Sequence, residues 1–239
     1  MGLATIYPQE ISMPRVKQSK GKCTHCGLEI AKGGVTRHLS ACAVWKELLT
    51  KAERKKGSSQ TLYHLRIQAA GQPQFWLDVE MRGSGTLDHL DQYLRAIWLE
   101  CCGHMSQFVF GGRRGEEISM RQRIEDVFEP GIELTHIYDF GTSSETLIKA
   151  VGVREGKSVT SHPITLLVRN VMPESECIEC GLPAAWLCLE CLIEEDQWGT
   201  LCDKHAKTHP HKDYDEPIPL VNSPRLGMCG YVGPAEPPY

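Results

Sequence analysis

Leu62-Tyr63-His64-Leu65-Arg66-Ile67-Gln68-Ala69 alternates along its length, with Tyr63, Leu65, Ile67 and Ala69 on one side of an extended chain and Leu62, His64, Arg66 and Gln68 on the other. A period of two marks a strand with one buried face. Phe75 to Met81 reads likewise. The period then changes: from Thr86 to Glu100, Leu87, Leu90, Leu94, Ile97, Trp98 and Cys101 recur at steps of three and four, as on an amphipathic helix capped by Thr86. Met105 to Phe110, Glu133 to Phe140, Thr146 to Val153 and Ile164 to Val171 are further strand candidates. The order β-β-α-β-(α)-β-β-β predicts an α+β fold with a mostly antiparallel sheet over residues 61–172.

Outside that block the chain changes character. Residues 1–20 carry no pattern and are expected to be a flexible N-terminus; 21–56 hold the first Cys/His set and end in the basic run Lys51-Ala52-Glu53-Arg54-Lys55-Lys56. Gly57-Ser58-Ser59-Gln60 reads as a linker. Residues 173–231 return to dense Cys/His usage, and 232–239 form a tail expected to be too Pro-rich to pack.

Of the 239 residues, 41% are hydrophobic and 23% charged, the composition of a globular chain. No run approaches the ~18 apolar residues of a membrane span, and Met1 to Glu10 lacks the pattern of a secretory signal. The expected compartment is the cytoplasm, which keeps thiols reduced. Eleven cysteines there call for metal rather than disulfides. The net charge of −4 divides into about +7 over residues 1–57 and −11 over the rest.

Cys23-x2-Cys26-x11-His38-x3-Cys42 is one four-ligand set. A Cys-x2-Cys pair suits a tight knuckle, and ligands four apart share a helix face and converge on one ion. Ile30 and Val35 stand where such a module builds its small core, and the helix is expected to run from Val35 to about Arg54. The set resembles a ββα zinc finger of the Cys-Cys-His-Cys kind. The second set runs Cys177-x2-Cys180-x7-Cys188-x2-Cys191-x10-Cys202-x2-His205-x3-His209-x1-His211, eight donors for two ions. It resembles a B-box-type module, and the resemblance implies a cross-brace: Cys177, Cys180, Cys202 and His205 on one ion, Cys188, Cys191, His209 and His211 on the other. The single residue between His209 and His211 departs from that family's spacing, so Asp213, Asp215 or Cys229 stands as an alternative last ligand. Three Zn2+ ions are thus expected. Trp186 and Trp198, between the pairs, read as packing.

Tyr138-Asp139-Phe140-Gly141, Asp126-Val127-Phe128, the opening Leu62 to Ile67, the helix start Thr86 to Leu90 and the ending Val221-Asn222-Ser223-Pro224-Arg225-Leu226-Gly227-Met228-Cys229-Gly230-Tyr231 resemble the family named after the third open reading frame of an Agrobacterium root-inducing plasmid. That resemblance implies a prokaryotic, mobile-element-associated protein with an α+β fold and no established activity. Here Thr142-Ser143-Ser144-Glu145-Thr146 replaces the acidic and histidine run of the family, and Leu77-Asp78 follow Trp76. No phosphate loop or nucleophile elbow appears: Gly111-Gly112-Arg113-Arg114-Gly115 reads as a polar turn, and His136 and Asp139 fall on opposite faces of a regular strand. His104 beside Cys101 and Cys102 could make a thiol–imidazole pair, but buried cysteines at a helix end are the simpler reading. A non-catalytic adaptor with an unidentified protein partner is expected. The alternative is nucleic-acid binding through residues 15–56, whose Lys17, Lys20, Lys22, Lys32, Arg37, Lys46, Lys51, Arg54, Lys55 and Lys56 could neutralise phosphates, and the third reading is an enzyme of unknown activity.

Overall fold

The computed structural model describes residues 19–129, 131–211 and 213–239. The N-terminal stretch expected to be flexible, with Lys17, lies outside these residues up to 18. Strands β1 (Lys20–Cys23) and β2 (Glu29–Ala31) form a hairpin, followed by helices α1 (Val35–Ala41) and α2 (Ala43–Glu53). Next come β3 (Gln60–Ala69), β4 (Trp76–Arg82), α3 (Leu87–Leu94) with a π-helical turn at Arg95–Leu99, β5 (Ser106–Phe110), β6 (Glu117–Ile118), α4 (Ile124–Val127), β7 (Glu133–Tyr138), β8 (Ser144–Gly156) and β9 (Ile164–Asn170). The C-terminal elements are β10 (Trp186–Cys188), α5 (Leu189–Glu194), β11 (Gly199–Leu201), α6 (Asp203–Ala206) and β12 (Ile218–Pro219).

The fold is α+β, and its main sheet is antiparallel throughout, in the order β2-β1-β9-β4-β3-β8-β7-β5-β6. The alternation read at Leu62–Ala69 is the reason. Tyr63, Leu65, Ile67 and Ala69 join Leu77, Val79 and Met81 on one face, under Leu87, Leu90, Leu94 and Trp98 of the α3 segment. The opposite face carries paired charges: Asp78 is fully buried and takes both Arg66 nitrogens at 3.1 Å, and Arg154 forks onto Glu80 at 2.7 Å twice. Bidentate geometry of this kind satisfies buried carboxylates that would otherwise be costly.

The first Cys/His segment is built into this sheet. Strand β1 hydrogen-bonds to β9 in the register Gly21↔Asn170, Lys22↔Arg169 and Cys23↔Val168. Gly21 is required there, because a Cβ would stand 2.4 Å from the Trp76 ring. Trp45 of α2, with Val35 and Leu39 of α1, packs on Trp76, Leu167 and Val168.

The helix expected to continue from Val35 to Arg54 is two helices. Cys42 leaves the helical region at ψ 112°, which ends α1 and starts α2 in a new direction. The helix expected through Glu100 loosens into the π turn after Leu94. The tail expected to stay unpacked is packed: Arg169 donates to the carbonyl of Ala235 at 2.7 Å, Ala235 is buried, and Tyr239 stacks on His162 at 4.0 Å. Residues 221–231 also lie on the main sheet: Ser223 donates to Trp98 O at 2.7 Å, and Asn222 pairs with Asn170 at 2.7 Å. Among the described residues no helix is long and apolar enough to cross a membrane.

Candidate metal centres

Cys23 ends β1, and Cys26 follows in a knuckle closed by Gly27 N–H on the Cys23 carbonyl at 2.9 Å; Gly27 supplies the left-handed turn at φ 75°. His38 projects from α1, and its Nε2 lies 3.4 Å from Cys26 Sγ. The donor atoms of Cys23, Cys26, His38 and Cys42 all lie within 4.8 Å of one another. The Leu28 N–H on Cys26 holds that thiol below its ordinary pKa. Burial pushes Cys23 up, so an anionic Cys23 calls for a cation beside it.

The C-terminal segment brings together two further quartets in interleaved order: Cys177, Cys180, Cys202 and His205, and Cys188, Cys191, His209 and His211. In the first, His205 Nδ1 lies 3.3 Å from Cys177 Sγ and 3.5 Å from Cys202 Sγ, and Cys180 and Cys202 are 3.8 Å apart. In the second, Cys191 Sγ lies 3.3 Å from His209 Nε2 and 3.2 Å from His211 Nδ1, and Cys188 Sγ lies 3.7 Å from His211 Nδ1. His211 therefore stands where the spacing left the last donor open. Asp213 instead donates its backbone N–H to Glu190, and Cys229 lies in a separate cluster.

These separations test the fit to metal. A tetrahedral ion with Zn–S near 2.3 Å and Zn–N near 2.0–2.1 Å holds two sulfurs about 3.8 Å apart and a sulfur and a nitrogen about 3.6 Å apart. The donor pairs above fall around those edges. Burial would raise Cys177, yet backbone N–H groups of Cys202, Glu179 and Cys180, with His205, bring it down to about 6. Cys191 is pushed up to about 12 by burial and by neighbouring Cys188, so its thiolate needs an added positive charge. Glu179 serves both quartets: Oε1 accepts from His209 Nδ1 at 2.9 Å, and Oε2 faces His205 Nε2 at 3.8 Å. A carboxylate behind a ligating imidazole fixes its tautomer and orientation. Gly199 leaves the room, since a Cβ there would meet Cys191 Cβ at 2.5 Å and Sγ at 2.9 Å.

The core of this module is small: Leu201 and the buried cysteines, with Trp186 against them. Trp186 also donates to Asp203 at 2.8 Å. Trp198, read from sequence as packing, is 47% exposed because it sits in the turn before β11.

No family model matches the chain, and no curated protein matches it. Among solved structures it is similar to the protein of unknown function MM3350 from Methanosarcina mazei Go1, with 20% identity and a TM-score of 0.38 over 44% of this chain and 68% of that one.

Sequence reasoning saw only part of one cluster, the neighbours Cys101, Cys102 and His104. Cys101, His104 and Cys229 also bring donor atoms within 4.8 Å of one another. Cys101 is half-buried and Cys102 exposed, so these are not the buried helix-end cysteines expected. Cys229 lies far along the chain from the other two, and no spacing rule could pair them. His136 and Asp139 do separate, but not by strand alternation, since β7 ends at Tyr138 and Asp139 turns left-handed at φ 65°. His136 is buried and donates from Nε2 to Asp91 at 2.7 Å, whereas Asp139 binds Arg225 at 2.5 Å.

Proposed function

We propose that the chain is a zinc-dependent interaction protein in which three Zn2+ ions are structural. The observation that carries this reading is the set of three complete Cys/His quartets, each with its donors within 4.8 Å. Four protein donors close a tetrahedral site, which suits a staple rather than a catalyst. Small modules of this kind depend on their ion to fold.

The C-terminal module supplies the partner surface in this reading. Ile178, Leu182, Ile193 and Trp198 are all at least 47% exposed on it. A groove of about 710 Å³ on the same module is lined by Trp186, Lys207, Asp203, Asp215 and Glu216 among others. Four exposed apolar side chains on so small a module support protein contact in this reading, and three carboxylates against one lysine in the groove favour a basic partner segment. The resemblance to the root-inducing-plasmid family belongs to the same reading. Two of the five stretches quoted for it touch in the fold, Asp139 of one binding Arg225 of another.

Native mass spectrometry tests the metal count. Loss of one ion on Cys42→Ser and of one on Cys180→Ser is expected; a metal-free wild-type chain that stays folded overturns the proposal. Retention of a partner that is released on Trp198→Ala tests the interaction role.

The second reading is nucleic-acid binding, favoured by the exposed Lys22, Arg37, Lys46, Arg54 and Lys56. Lys51 also pairs with Glu47 at 2.7 Å, and Lys55 donates to Val159 O at 2.9 Å. Binding that falls steeply with salt and is lost in Lys46→Glu/Arg54→Glu would support it; salt-independent binding would exclude it.

A further inference from the structure

We propose that Cys101, His104 and Cys229 form a fourth metal site, a Cys2His set that takes a thiophilic divalent cation of the zinc class and leaves one coordination position to solvent. The eight cysteines of the three quartets leave three over, Cys101, Cys102 and Cys229, and the fold brings the donors of Cys101 and Cys229 within 4.8 Å of each other and of His104, with Cys102 alongside. His104 Nε2 faces the sulfurs, 2.9 Å from Cys102 Sγ, and Cys102 Sγ lies 3.4 Å from Cys101 Sγ. Three protein donors of this composition are the set that zinc uses where it keeps an exchangeable ligand.

Independent features of the backbone point to the same spot. The π turn Arg95–Leu99 delivers Cys101 to the end of the α3 segment, and π turns concentrate at functional positions. Cys229 has φ 49° and Asp139 has φ 65°, left-handed conformations that cost energy in residues with a Cβ. Two such residues lie side by side here, with Cys229 Sγ 3.6 Å from Asp139 Oδ2.

The charges around the cluster balance with a dication in place. Arg225 Nη2 lies 3.5 Å from both Cys101 Sγ and Cys229 Sγ, and it also binds Asp139 at 2.5 Å. Arg225 and Asp139 cancel, so two thiolates match one divalent ion. Asp139 Oδ1 is already taken by the N–H groups of Gly141 at 2.9 Å and Thr142 at 3.2 Å. Its Oδ2 lies 3.4 Å from His104 Nε2, close enough to accept a hydrogen bond from a water on the ion. Unlike the end quartets, whose four positions are all protein, this centre binds less tightly and exchanges.

The test uses the full-length, zinc-loaded, thiol-reduced protein, treated with a mild chelator to clear weak sites and then titrated with Co2+. One equivalent is expected to bind, with thiolate-to-cobalt absorption in the near ultraviolet and tetrahedral ligand-field bands in the visible. His104→Ala and Cys229→Ser are expected to weaken that equivalent at least tenfold, while near-ultraviolet circular dichroism and the zinc content of the end modules stay as in the wild type. Absence of Co2+ binding in the wild type, or unchanged binding in Cys101→Ser/Cys229→Ser, overturns the proposal. Loss of the end-module zinc with both end modules still ordered and the Cys229-dependent cobalt site retained would instead overturn only the structural-zinc reading.

Discussion

Asp91 gathers three partners under the α3 segment: His136 Nε2 at 2.7 Å, Ser106 Oγ at 2.6 Å and Arg95 Nε at 2.7 Å. Burial alone would raise its pKa, but these donors, His136 first, hold it down to about 2 from an ordinary 3.8. A carboxylate whose folded pKa lies below its unfolded value stabilises the protein above the unfolded value, and that contribution disappears as pH falls through the folded one. The window is therefore pH 4 down to about 2, and the contribution is about 2 kcal/mol. Asp91→Asn should cost stability of that order at neutral pH and flatten the acid limb, as read by denaturant titrations across pH. Gly199 gives a second test at this scale. Gly199→Ala should expel the ion held by Cys188, Cys191, His209 and His211, since the new methyl would overlap Cys191; native mass spectrometry should find one ion fewer. Local spacing exposed the quartets in the sequence because each Cys-x2-Cys or His/Cys pair is a short-range signal. Cys229 has no such neighbour, and only the return of the tail onto the sheet brings it to Cys101 and His104.

Elements behave as units set by what holds them. The small sheet β11-β10-β12 has almost no apolar core beyond Leu187 and Leu201, so under the proposed zinc reading the metal quartets carry its stability. Exhaustive chelation should therefore abolish hydrogen-exchange protection in β10 and β11 while β3, β4 and β8, buried in the large cluster, keep theirs. Equal loss in both sheets would contradict this. Strand and helix identities in the central block were readable because the periods of two and of three to four are strong there. The ends of helices were less so. Cys42 breaks the first helical segment at a position where nothing in the residue type forbids continuation, and the break serves the packing of Trp45 on Trp76. The π turn after Leu94 was likewise invisible, because apolar spacing survives a one-residue expansion.

Over the whole molecule, the C-terminal segment ties the module to the main sheet. Arg225 is fully buried, with Nη1 on Thr142 O and Ser144 Oγ at 2.8 Å each, while Gly227 lies against Leu187, Leu189 and Leu192 of the module. Arg225→Ala leaves Asp139 as an unpaired buried charge and should cost about 3–5 kcal/mol, measured by urea unfolding. Deleting residues 221–239 should be at least as severe, although those residues read from sequence as the end of a module and a loose tail. The pairing of β1 with β9 escaped the sequence for a related reason: it joins segments about 145 residues apart, and alternation reports that a strand exists but not its neighbour.

Under the proposed zinc reading, that pairing makes the first ion a guard against self-association. The hairpin covers the Leu167 to Asn170 end of β9, and beside the packing of Trp45, Val35 and Leu39 its hold would rest on a cation between Cys23 and its three companions. Were that hairpin to open for want of a cation, the Leu167 to Asn170 end of the strand would present bare amides and carbonyls, an invitation for strands of other molecules to add on. Metal starvation would then not merely inactivate the protein but make it sticky.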